Sequence, residues 1–176
     1  MNLHDILKTP HVYVEAETSN TIAPRIVQIA ILDAHGTPLL YTKVRQTWVS
    51  PDSTALHGLT ATHLKNAPSW NDVLPDVRRL VKGHHVLAYG ADFLNKSFAF
   101  SHMDSKTPAL QVPAVCVMTM FAEFNGEWSK YRKSYTFKKL AFAAHSFGYT
   151  NPQPNDAVQD ALAVRAVAMG LASVGG

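Results

Sequence analysis

Glu15 and Glu17 stand two residues apart in the stretch V-Y-V-E-A-E-T at residues 12–18. In an extended chain alternate side chains share a face, so both carboxylates project the same way. Like charges held that close repel, and a strand this apolar is at least partly buried. Water, a basic partner or a metal cation must offset the repulsion, and the last would bring Lewis-acid chemistry with it. The pair alone does not choose among the three.

A second group of residues has a different chemistry. The segment W-S-K-Y-R-K-S-Y-T-F-K-K at 128–139 interleaves Trp128, Tyr131, Tyr135 and Phe137 with Lys130, Arg132, Lys133, Lys138 and Lys139. Positive charge among aromatic rings suits a strand or loop that tracks phosphates and stacks bases. The plainer alternatives are a solvated basic face, or a protein-docking surface centred on Trp128 and Tyr131.

Composition narrows the rest. A chain of 176 residues with 47% hydrophobic and 16% charged residues can bury a core and reads as one globular domain. Its net charge of +3 permits an anionic partner without demanding one. The single cysteine, Cys116, excludes an internal disulfide and a cysteine-based zinc site, and its apolar setting V-P-A-V-C-V-M predicts a buried structural thiol. Nine histidines without a repeated spacing define no metal site. The N-terminus has no leader pattern and no segment approaches the roughly 20 apolar residues of a membrane span, so a cytoplasmic protein without membrane contact is expected.

These residues need elements to hold them. Alternation at 11–17, the Ile- and Val-rich run at 25–34 and a return at 38–48 predict three antiparallel strands. Ser69 caps a predicted helix at 69–82 with apolar Val73, Val77, Leu80 and Val81, and Pro75 either kinks it or marks its start. A short buried strand at 84–90, a helix at 92–103 and a fifth strand at 112–119 follow. Residues 134–149 form an amphipathic stretch with Leu140, Ala143, Ala144 and Phe147 on one side. A last helix runs from Asn155 to about Val174. The expected fold is α/β: a mixed five-stranded sheet, three antiparallel strands then βαβα, flanked by helices.

In order along the chain, E-A-E-T (15–18), R-I-V-Q-I-A (25–30), T-A-L-H-G-L-T (54–60), A-Y-G-A-D-F-L (88–94) and N-D-A-V-Q-D (155–160) resemble the motifs of the DnaQ-like 3′-5′ exonucleases, the DEDDh group of the ribonuclease-H-like fold. The likeness covers nearly the whole sequence. It implies a site in which carboxylates hold two divalent metals around a scissile phosphate, with a histidine to deprotonate the water.

Mapped onto that pattern, Glu15 replaces an aspartate, Glu17 and Asp160 match, Leu94 stands where a fourth acid belongs, and Asn155 occupies the place of the histidine. The resemblance therefore implies metal ligands at Glu15, Glu17 and Asp160, and degenerate positions at Leu94 and Asn155. Asp92 either swings in as a substitute ligand or caps the helix that follows it. Asp156, one residue from Asn155, is expected to face elsewhere on its helix.

The loop around His57, Gly58 and Leu59 is similar to the family segment that packs on a terminal nucleotide, with Leu56 and Leu59 as wedges. The alternative is a helix-start turn capped by Thr60. The expected function is a decayed exonuclease that binds nucleic acid, a single-stranded 3′ end, or a protein partner. Magnesium or manganese would be weakly held or not held at all. The alternatives are an active metal-dependent 3′-5′ exonuclease with an atypical Glu-Glu-Asp site, and a scaffold that touches no nucleic acid.

Overall fold

The alternating stretch at the N-terminus lies at the centre of a five-stranded sheet in the computed structural model, which describes residues 2–103 and 108–174. Strands β1 (His11–Thr18), β2 (Ile26–Leu32) and β3 (Pro38–Lys43) form the antiparallel meander. Strands β4 (His85–Ala88) and β5 (Val115–Cys116) join in parallel on the other side of β1, giving the order β3-β2-β1-β4-β5. The mixed sheet read from the sequence is the one observed.

Side-chain alternation along β1 divides the core in two. Val12 and Val14 face helices α4 (Trp70–Val81) and α5 (Ala91–Ser101), packing with Val73, Val77 and Phe98. Trp70 stacks on Phe98 in this layer, ring centroids 5.8 Å apart. Tyr13, on the opposite face, packs with α6 (Val117–Asn125), α7 (Leu140–Ser146) and α8 (Ala157–Val174). Every residue of β2 is buried, as expected of a strand covered on both faces. Helices α1 (Leu3–Leu7), α2 (Pro51–His57) and α3 (Ala61–Leu64) are short additions whose lengths leave little periodicity to read.

Helix α4 is capped as the sequence predicts: Asp72 N–H donates to Ser69 Oγ at 3.3 Å, and Ser69 N–H donates to Asp72 Oδ2 at 2.8 Å. Pro75 lies inside the helix rather than at its start.

Two expectations change. The fifth strand is only Val115–Cys116, because V-M-T-M-F-A turns at once into α6, where Val117, Phe121 and Ala122 are buried at helical spacing. The amphipathic stretch 134–149 divides between a strand and a helix. It opens with β7 (Ser134–Tyr135), which pairs with β6 (Trp128–Ser129), and only Leu140–Ser146 is helical, with Ala143 and Ala144 buried as expected.

Helix α8 is long and apolar enough to cross a membrane by length and composition, contrary to the reading that no segment comes close. Here it lies on the sheet, burying Ala161, Val164, Val167 and Ala168. Its small residues permit close approach. A Cβ placed on Gly170 would overlap the Phe147 ring, so only glycine lets α7 and α8 meet there.

Candidate active site

Glu15 and Glu17 follow Tyr13 on the same face of β1, beneath α8. The parallel register carries Tyr13 opposite Leu87, so Glu15 lies level with the residue after β4. There the Tyr89 N–H donates to Glu15 Oε1 at 2.5 Å. Burial pushes the Glu15 carboxyl well up, the Tyr89 hydrogen bond pulls it down, and Asp160, Glu17 and Cys116 push it up again. Burial and then Asp160 and Asp156 raise Glu17 to about 7. Asp160 thus acts electrostatically on both Glu15 and Glu17.

Asp160 stands in the first turn of α8 and is already engaged. The Asn151 amide donates to its Oδ1 at 2.6 Å, and the Asn155 backbone N–H donates to its Oδ2 at 3.2 Å. Burial raises its carboxyl to about 6, against these two hydrogen bonds and with a further push from Asp156. Asn155 itself sits at φ 63, a left-handed conformation that asparagine tolerates better than most residues. It contributes a backbone donor where a proton acceptor would be needed.

Asp156 is closer to this cluster than its helical offset suggests. Its Oδ1 accepts the N–H groups of Val158 and Gln159, at 3.1 and 3.2 Å, and so caps α8. Its Oδ2 accepts the Tyr41 hydroxyl at 2.5 Å. Gln28, which lies opposite Glu17 in the β1–β2 register, accepts the Ala157 N–H through Oε1 at 3.0 Å. These bonds dock the start of α8 on the sheet. The offset of about 100° per residue misled because residue 156 precedes the first helical turn.

Leu94 is 5% exposed and belongs to the core under the opposite face of the sheet, with Val12, Val14 and Phe98. Asp92 neither caps α5 nor is drawn inward: the cap position is Gly90, without a side-chain bond, and Asp92 is exposed on the first turn.

The 57–59 loop is largely structural. Leu59 N–H donates to His57 Nδ1 at 3.1 Å, which leaves His57 Nε2 to donate to the Thr18 carbonyl at 3.1 Å. Burial holds the His57 imidazole below its ordinary range, opposed by the Thr18 bond. Gly58 ends α2 at φ 74. Leu59 is only 9% exposed and packs with Val27 and Leu64, so it is not free to wedge against a base. Thr60 caps α3 with His63, as the turn reading has it.

Leu56 is different: 62% exposed, it lines a cleft of about 640 Å³ together with Tyr89, Phe137, Lys138, Asn155 and Asp160. The cleft thus joins Asp160 on α8 and Tyr89 after β4 to the chain that leaves the β6–β7 hairpin. In that hairpin Lys138 pairs with Glu127, while Tyr89 Oη donates to the Lys138 carbonyl at 2.7 Å.

Cys116 is a residue that the sequence reading misplaced. It is half-buried rather than buried, beside Glu15 at the start of α6. Burial raises its thiol, but hydrogen bonds from the Thr119 hydroxyl and from backbone N–H groups of Ala91, Thr119 and Gly90 outweigh it, and the net shift is downward. The apolar run concealed this because its donors come from α5 and from the next turn of α6.

The donor set does not fit a pair of divalent cations as it stands. Among the described residues no three His, Cys, Asp or Glu side chains are grouped closely enough to hold a metal ion. Asp160 and Glu15 spend acceptor positions on protein donors, and the Leu94 position supplies none.

A five-stranded mixed sheet flanked by helices matches the fold of ribonuclease-H-like exonucleases. This chain belongs to the exonuclease family: the family model described as RNase_T, exonuclease, matches residues 19–168. That match begins just after β1, so Glu15 and Glu17 lie ahead of it. An uncharacterized exonuclease, CP81, of Escherichia phage 186 is 29% identical over 147 residues, covering 78% of this chain and 75% of that protein. The nuclease domain of 3′hExo, a DEDDh family member solved bound to rAMP, superposes with a TM-score of 0.72 at 16% identity, covering 95% of this chain and 93% of that one. E. coli Exonuclease I in complex with a dA16 oligonucleotide gives 0.65 at 15% identity, over 90% of this chain and 39% of that one.

Proposed function

We propose that this exonuclease-fold protein grips the 3′ end of a nucleic acid in the cleft beside Asp160 and hydrolyses it slowly or not at all. The observation that carries this reading is Leu94, buried in the core where the family pattern calls for an acid. Asn155 adds to it, since an amide accepts no proton near neutral pH. Losing one group of a catalytic unit typically removes several orders of magnitude in rate.

Binding survives on other residues. Leu56, Phe137 and Lys138 line the cleft and supply apolar surface and positive charge without any metal. Structural neighbours solved with a dA16 oligonucleotide, a 5′-overhanging duplex DNA or a histone mRNA stem-loop make nucleic acid the natural ligand class to test.

A second reading, an active enzyme using Glu15, Glu17 and Asp160, is favoured by the mutual repulsion that already links those three side chains. One assay separates the two. Single-stranded DNA and RNA with labelled 3′ ends are incubated with the protein in magnesium and, separately, in manganese, beside a Glu17→Ala control. Cleavage that vanishes in Glu17→Ala sinks the first reading. Intact oligonucleotide that is still retained at low salt supports it. A Glu15→Asp, Leu94→Asp, Asn155→His variant that regains cleavage would place the defect in those side chains.

A further inference from the structure

The segment between α6 and α7 forms a small arm whose β7 strand rests against α6. Strands β6 and β7 pair through two residues each, Trp128 with Tyr135 and Ser129 with Ser134, and a hairpin that small is marginal alone. Its base is held by the Thr136 N–H on the Glu127 carbonyl at 2.8 Å and by an edge-to-face contact between Trp128 and Tyr135, ring centroids 5.2 Å apart. At its tip the Lys133 N–H donates to the Ser129 carbonyl at 2.8 Å, with Lys133 at φ 52.

What the arm presents is not core. Tyr131 is 96% exposed and Trp128 54% exposed. Residues 127–139 carry a net charge of +4, more than the +3 of the whole chain, and their one acid, Glu127, is paired with Lys138. Past the arm the chain becomes a wall of the cleft, where Phe137, Lys138 and Lys139 face Asp160. A polymer whose terminus reaches Asp160 therefore meets the residues that follow the arm in the chain, Phe137 to Lys139.

We propose that the arm guides an unpaired 3′ tail into the cleft: bases stack on Tyr131 and Trp128, while Lys130 and Arg132 neutralise phosphates. This rests on the cleft reading above and adds a second contact region, reached only by a strand several nucleotides long. Exposed ring faces reward bases that are free to unstack, which a duplex withholds. A protein partner is the poorer occupant, because the cores of protein interfaces are depleted in lysine and these rings are interleaved with it.

The test is fluorescence anisotropy of the full chain in EDTA and low salt, with labelled oligo-dT and oligo-rU of 2 to about 15 nucleotides and a blunt duplex. Affinity should rise with length, and the duplex should bind more weakly. Tyr131→Ala should weaken the longest strands between about 5- and about 100-fold, leaving the dinucleotide unchanged. Lys130→Ser with Arg132→Ser should lower the slope of log affinity against log salt by about 1.4.

Affinity independent of length, an unchanged Tyr131→Ala, or equal binding of the duplex would overturn the arm and leave the cleft reading standing, provided Leu56→Ala still weakens the dinucleotide. Absence of any oligonucleotide binding removes both. Arm variants that lose a protein partner while keeping the oligonucleotide would assign the arm to protein docking and overturn the proposal.

Discussion

The Asn151 amide nitrogen lies 2.6 Å from Asp160 Oδ1, so the acid that α8 brings to the cleft is held by a side chain nine residues before it. A carboxylate engaged in this way is stabilised in its charged form from within the chain. In Asn151→Ala only the Asn155 N–H remains, and the Asp160 carboxyl should titrate above its present value of about 6. Carboxyl NMR across a pH series reads this directly. The variant should lose about 1 kcal/mol of stability at pH 8, where the charge must be supported.

Glu17 makes the folded protein dependent on pH in a defined direction. Its folded value of about 7 exceeds the ordinary 4.5, so between these values the native state holds a proton that the unfolded chain has released. Stability from this group is present below about 4.5 and is lost as pH rises through about 7. Urea unfolding should show a decline on the order of 2 kcal/mol from pH 5 to pH 8. Glu17→Gln should flatten much of that decline and be the more stable protein at pH 8.

Leu94→Asp, made alone, should cost about 3 kcal/mol or more at neutral pH, because it places a carboxylate among Val12, Val14 and Phe98. The loss should shrink at pH 4, where the acid is largely protonated. An unaltered urea midpoint at pH 7 would mean that the side chain turns out of this cluster.

Gly170→Ala tests the contact between the last two helices. The added methyl meets the Phe147 ring, and overpacking of this kind costs about 1–3 kcal/mol. Thermal unfolding should show the drop, and a second change, Phe147→Leu, should recover part of it.

Cys116 should react with iodoacetamide at neutral pH faster than an unperturbed thiol of equal exposure, since its hydrogen bonds favour the thiolate. Thr119→Val removes the hydroxyl that lies 3.3 Å from the sulfur and should move the labelling profile to higher pH.

The fold was largely legible in the sequence because alternation and turn residues are local. The β1–β2–β3 meander, the Ser69 cap and the final helix all follow from residues close together in the chain. The cluster of Glu15, Glu17 and Asp160 needed family motifs, since nothing local says that residue 160 returns to residue 15. What stayed hidden depended on distant partners. Asp156 was misjudged because Tyr41 and Gln28, from two strands far upstream, decide where it points. Leu59 looked available because the Val27 and Leu64 side chains that cover it belong to other elements. The two-residue strands β5, β6 and β7 are too short for any period to register.

The even residues of β1, Val12 and Val14, hold one core layer, whereas the odd residues begin with Tyr13 in the other layer and run on to the acids Glu15 and Glu17. Chemistry and foldability are thereby written in alternate letters of one strand. Substitution at the odd positions beyond Tyr13 can alter the charge beside Asp160 while the even positions go on specifying the sheet. Glu15→Asp can therefore be judged against an unchanged architecture, whereas an acid at Leu94 lands in the layer that specifies the sheet.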